Sequence, residues 1–298
     1  MVAGVSQRKQ RGLALVIVLV AVTLGSVIAV ALVERTQRAL ARTQALSDRH
    51  QVMQLSAGMA LITERLLEER LAASEGVVTP EALLQWTPAY QIPGGTVQGR
   101  AWVLDGRLNL NALMHPDPDT RAQARRVLNR LLAELQLNAR LSRDIVQWLN
   151  TPDERTPRAP LIHVSELREI PGLDPRAYET LLPHVAVWPS PALSLNVNAT
   201  GPAVLAAFVE ALDREQARRV LSKRPFRRDQ DLWAEPIMAG AALTPDERAR
   251  LAVKANVFLA QARVRFARQG GVQTHDGFRL IQGSGSGYDF RYVSQEVP

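Results

Sequence analysis

The sequence contains no cysteine. Disulfides, thiolate zinc sites and a cysteine nucleophile are therefore excluded together. Enzyme signatures are missing as well. His50, His115, His163, His184 and His275 form no HExxH or other metal-ligand spacing, and there is neither a GxSxG elbow nor a phosphate loop. Long apolar runs are scarce, with one near the N-terminus and no second. With a mean hydropathy of -0.09, the chain is not a polytopic membrane protein. Acidic residues are absent from the first basic cluster (Arg8, Lys9 and Arg11) and from the apolar run behind it. That cluster supplies three of the net +7 charges, so the remaining basic excess is modest and a weak pointer to nucleic acid.

What is present begins with that run. Residues 13–33 carry no charge, and as a helix they span roughly 30 Å, the thickness of a bilayer's hydrocarbon core. Thr23, Gly25 and Ser26 are the interruptions, and a membrane helix tolerates all three. Basic residues before the run and Glu34-Arg35 after it place the N-terminus in the cytoplasm and the rest across the membrane. On these residues alone a signal anchor and a signal peptide cleaved near Ala29-Val30-Ala31 both stay open.

From 34 to about 72 there is no proline and one glycine, Gly58. Leu46, Met53, Ala57, Ala60, Leu67 and Leu71 fall on one helical stripe, a face for packing on a domain or another helix. Ser74-Glu75-Gly76 ends this stem. A short capped helix is expected at Thr79-Pro80-Glu81, a strand over residues 96–104, and a turn at Asp105-Gly106. Residues 118–149 read as two amphipathic helices.

Ser165 to Arg168, Ile170-Pro171-Gly172-Leu173 and a helix over 175–182 then have the outline of a helix-hairpin-helix. A second copy of this theme is expected over 195–208, with Thr200 as cap and Pro202 in the first turn. Thr244 to Glu247 has a capping-box pattern. The tail changes period, with strands expected within 251–266, 278–282 and 288–293 and a Gly-Ser run at 283–287 between the last two. Strands from both ends of the sequence thus form one antiparallel sheet that receives the stem, and the helices between them form an insertion. The fold class is α+β. The hairpin and the run Lys223, Arg224, Arg227 and Arg228 would suit phosphate contacts, yet the topology sets them outside the cytoplasm. The expectation is no nucleic-acid partner.

Arg11-Gly12-Leu13, followed by the apolar helix, resembles the prepilin pattern of type IV pilins and type II secretion pseudopilins. The resemblance implies that a prepilin peptidase cuts between Gly12 and Leu13 and methylates the new amino terminus. Most such proteins carry glutamate five residues past the cut. Ile17 stands there instead, a departure that resembles the minor pseudopilin K family of type II secretion. Asp105, Gly106, Asn109 and Asn111 look like that family, as do Ser165, Glu166 and Leu167, Pro171-Gly172, and Asn196 with Asn198.

By resemblance the chain divides into a leader (1–12), a membrane segment (13–33), a stem and first part of a pilin-like domain (34–110), an inserted α-helical, SAM-like domain (111–248), and C-terminal strands (249–298). It implies a non-enzymatic subunit of the bacterial inner membrane, single-pass, with a periplasmic domain. The implied partners are minor pseudopilins I and J, the prepilin peptidase and the assembly platform, with Ile17 marking a subunit at the filament's end. A DNA-uptake pseudopilin and a signal-anchored periplasmic binding protein are the alternatives. No cofactor is expected. The resemblance raises calcium, but Asp276 and Asp289, expected in tail loops, are too few acids to make a site.

Overall fold

The computed structural model describes residues 5–79, 85–151, 160–268, 271–282 and 292–296. The chain divides into two compact units, residues 1–54 and 55–298. Helix α1, Val5–Ala73, contributes to both.

In the first unit the described backbone is helical, and Val18–Leu40 is apolar enough to cross a membrane, with a mean hydropathy of 2.0. Its hydroxyls are paired within the helix. Thr23 Oγ1 donates to the Leu19 carbonyl and Ser26 Oγ to that of Val22, both at 2.8 Å. Gly12, Leu13 and Ile17 lie within α1.

In the second unit the last turns of α1 pack on a sheet of order β1-β2-β7-β8-β9, built from Tyr90–Ile92, Gly95–Val103, Val257–Arg268, Gly271–Gln282 and Tyr292–Glu296. All its pairings are antiparallel. Strand β2 buries alternate residues, as a strand with one covered face should. The buried face of α1 is Ser56, Met59, Ala60, Thr63, Glu64 and Leu67. This corrects the expected stripe: Met53 is exposed and Leu46 lies outside the described side chains.

The physical reason for the correction lies in the sheet. A Cβ on Gly99 in β2 would collide with Thr63 Oγ1 and Met59, and one on Gly277 in β8 would meet Ser56 Cβ at 3.0 Å. Bare strand positions let the helix approach closely, so small hydroxyl residues face the sheet where a pattern search looks for leucine. Thr63 satisfies its own hydroxyl on the Met59 carbonyl at 2.8 Å. Glu64 reaches Arg279 of β8 at 3.6 Å. Above them Leu67, Val78, Val103, Phe258, Ala260 and Ile281 form the apolar part of this interface.

Strand β8 is twelve residues long, because its pairing with β7 runs from Arg268↔Gly271 to Val257↔Gln282. Asp276 therefore lies within a strand and not in a tail loop. The capped helix expected at 79–81 extends beyond the described residues, and so do the Gly-Ser run and Asp289.

Between β2 and β7 lies the insertion. It comprises β3 (Leu108–Asn109), α2 (Pro118–Glu134), α3 (Arg140–Asn150), α4 (Pro175–Leu181) and β4 (Val185–Ala186). There follow β5 (Leu195–Asn196), α5 (Pro202–Phe208), α6 (Arg214–Leu221), α7 (Asp229–Trp233), α8 (Pro236–Gly240), α9 (Pro245–Ala249) and β6 (Leu251–Ala252). The starts of α2, α4, α6 and α9 are each set by a side chain accepting a backbone N–H: Asp117, Asp174, Asp213 and Thr244. Thr200, by contrast, is no cap. Gly201 occupies that position without a side-chain bond, and Thr200 is buried. One continuous apolar core, including Val127, Leu128, Leu131 and Leu132 of α2, fills the insertion.

Candidate functional site

The insertion leaves the sheet and rejoins it on adjacent strands, and the residues at that neck are those singled out in the sequence. Leu104 N donates to the Val257 carbonyl at 2.8 Å, tying exit to return. Asp105, 4% exposed, holds the crossing together. Its Oδ2 accepts from the backbone of Asn256 at 2.6 Å and of Val257 at 3.3 Å. Its Oδ1 accepts from Asn196 Nδ2 at 3.3 Å, and its carbonyl from Asn196 N at 2.7 Å. One carboxylate thus joins three chain segments. Burial raises its pKa to about 6, against the pull of the hydrogen bonds from Asn256, Asn196 and Val257. Beside it a Cβ on Gly106 would strike the Ala199 carbonyl, so only glycine lets that segment pass. Leu104, Ala186, Trp188 and Val257 close the neck with apolar contact.

The two Asn-x-Asn motifs turn out to be one device used twice. Asn109 Oδ1 accepts from Asn111 N at 3.2 Å, and Asn196 Oδ1 from Asn198 N at 3.0 Å. Asn111 then clamps two distant segments. Its Nδ2 donates to the Leu161 and Trp188 carbonyls (3.0 and 2.8 Å), while its Oδ1 accepts from Leu161 N at 2.8 Å. Asn198 repeats this on the Phe226 and Val253 carbonyls, both at 2.7 Å, and on Phe226 N at 2.9 Å. A buried amide with both ends satisfied fixes the backbone around it, because any other arrangement strands polar groups out of water.

The duplication extends past the clamps. Strand β3 pairs in parallel with β4, and β5 with β6. Glu166 accepts from His163 N at 2.7 Å where Asp231 accepts from Arg228 N at 3.0 Å, and the next residues, Leu167 and Leu232, are both fully buried. Ser165 is the near neighbour of this cap, its Oγ 2.7 Å from His163 Nδ1. Pro171 and Gly172 make the turn into α4, Gly172 at φ 89°. The insertion is therefore two tandem modules. The expected second copy at 195–208 is real as a repeat, but it matches 108–114 and not the Ser-Glu-Leu hairpin. What repeats is the hydrogen-bonding pattern, which a search for helix outlines passes over. Arg130 of α2 straps the modules together, donating to the Ala207 carbonyl and pairing with Glu210, both at 2.7 Å.

Of the basic run at 223–228, Arg224 is spent on the Asn198 and Thr200 carbonyls at 3.1 and 3.0 Å, and Arg228 on Asp231 at 2.8 Å. The sheet's other face carries groups that sequence reading missed. Arg100 stacks on Trp86 and Trp102, with its guanidinium carbon 4.4 and 4.9 Å from their ring centres. Arg263 lies 4.7 Å from Trp86 and grips Asp276 with two bonds of 2.7 Å. Arginine and tryptophan at alternate positions of paired strands was the available signal. Asp276 has both oxygens on Arg263, and among the described residues no three acids or histidines converge. Asp276 is thus already engaged within the sheet.

Two family profiles, both described as "Type II secretion system (T2SS), protein K", match residues 106–190 and 195–254, the two modules in turn. Type II secretion system protein K of Pectobacterium carotovorum is 26% identical, over 86% of this chain and 89% of that protein. Its namesake from Klebsiella pneumoniae is 28% identical over 72% and 76%. Among solved structures, a chain of the GspK-GspI-GspJ complex of enterotoxigenic Escherichia coli shares the fold. Its TM-score is 0.64 at 19% identity, covering 86% of this chain and all of that one. With profiles on both modules, relatives along most of its length and the same fold in a solved structure, the chain belongs to the type II secretion system protein K family.

Proposed function

We propose that this chain is a non-enzymatic minor pseudopilin that caps or initiates a short periplasmic filament and so supports protein export. The observation that carries the reading is where the insertion sits. It leaves after Val103 and returns at Val257, the end of the sheet reached by Leu67 in the last turns of α1. In a filament of parallel stems, that end faces the next subunit. A two-module body there leaves no room for one. Ile17 agrees with this reading. A carboxylate at that depth is costly unless a neighbour pairs with it, and a subunit with nothing above it needs no such pair. The helix over 18–40 serves as a single-pass anchor with its basic N-terminus in the cytoplasm. Pseudopilins I and J, named in the related complex, are the partners to test first.

The test is mass spectrometry of the chain's N-terminus after co-expression with a prepilin peptidase. Methylated Leu13 is expected, and Gly12→Val should leave Met1 in place. An intact Met1 on the wild type means a plain anchor, and a start near Val33 means a signal peptide. Either result overturns the proposal.

A further inference from the structure

A cavity of about 280 Å³ opens between the first insertion module and the sheet face opposite α1. Trp102, Phe278 and Leu280 line it from the sheet, and Ile162 and Val185 from the insertion. It is about twice the size of a cavity that holds benzene, so an aromatic or branched side chain enters without rearrangement. One cation looks into it, Arg107. Among the described residues this guanidinium has neither a hydrogen bond nor an ion pair, whereas Arg100, Arg130, Arg224 and Arg263 are all engaged. Burial alone pulls its pKa below the ordinary value. His184 is held down first by burial and then by Arg214 and Arg107, so its surroundings are electropositive. At the rim Ile162 is 56% exposed, a large aliphatic side chain in water beside an apolar opening.

We infer that this cavity is a docking pocket for an extended segment of a partner protein, which inserts an apolar side chain and presents an adjacent carboxylate to Arg107. The charge requirement comes from the unanswered cation, because a desolvated guanidinium gains most from a bidentate carboxylate. The protein requirement comes from the lining. Arginine and tryptophan around an apolar socket, with an exposed aliphatic rim, are the side chains on which protein interfaces concentrate their binding energy. The inference does not rest on the filament reading. A pocket for a partner's segment serves an anchored binding protein equally well.

The experiment is fluorescence polarisation on the full chain in lipid nanodiscs, with fluorescein-labelled Gly-Gly-Phe-Asp-Gly and its twin in which asparagine replaces the aspartate. The acidic peptide is expected to bind about tenfold more tightly than its twin, the worth of one charge-assisted hydrogen bond. Arg107→Gln should level the two. Ile162→Ser, a change at an exposed position, should weaken both without lowering the melting temperature. No saturable binding at millimolar peptide, no preference for the acid, or a preference that survives Arg107→Gln would each overturn the inference. Arg107-dependent displacement of a bound dye by decanoate, with no peptide binding, would assign the pocket to small amphiphilic acids and overturn it too.

Discussion

Asp105 joins three segments that are far apart in sequence, and burial decides its chemistry. Its folded pKa of about 6 lies above the ordinary 3.8, so folding favours the protonated form. The sign follows. The stability this group contributes is complete below pH 3.8 and is lost as the pH rises through 6. The two values differ by enough to remove about 3 kcal/mol between pH 4 and 7. Glu64, also raised by burial, acts in the same direction, so the raw slope is shared. Urea unfolding across this range, with Asp105→Asn beside the wild type, isolates the residue. The variant is expected to be less stable at every pH, since in either orientation its amide nitrogen must face a donor, the Asn196 amide or the backbone N–H groups of Asn256 and Val257, and to have a flatter profile. An unchanged slope would remove Asp105 from the account.

Among the elements, those governed by short-range rules were readable. The stem and its end at Ser74-Glu75-Gly76, strand β2, helices α2 and α3 and the cap at Thr244 come from periodicity and capping chemistry, which few residues determine. What escaped reading depends on distant partners. Ser56 and Thr63 face the sheet only because Gly99 and Gly277 are bare opposite them. The roles of Asn109 and Asn196 need the distant segments they bond, and Arg107 is notable only once it is seen to have no partner among the described residues. The family resemblance flagged the Asn-x-Asn residues without saying what they do. Their geometry makes a prediction for the modules. Asn111→Ala strands the Leu161 amide and carbonyl and the Trp188 carbonyl, costing roughly 2–4 kcal/mol. Hydrogen exchange should rise across β3, α2 and β4 while 195–253 stays protected, and Asn198→Ala should do the reverse. Uniform loss of protection in both variants would mean that the modules fold as one unit.

For the whole molecule, the sheet and the insertion each have their own core, joined by a narrow neck. Replacing residues 105–256 with Asn-Gly would turn β2 and β7 into an ordinary hairpin. The shortened chain is expected to keep its sheet by circular dichroism and to unfold cooperatively with a smaller denaturant slope. A chain without a cooperative transition would show that the sheet depends on its guest. The neck also bears on the order of folding. The bond from Val257 to Asp105 spans 152 positions, and closing an unstructured loop of that length costs about 4 kcal/mol in chain entropy. A folded insertion brings its two ends side by side and removes most of that cost. The cassette then acts as a clasp that must snap shut before its host strands can zip, so a fault deep in the helices would first be felt as a delay in the sheet.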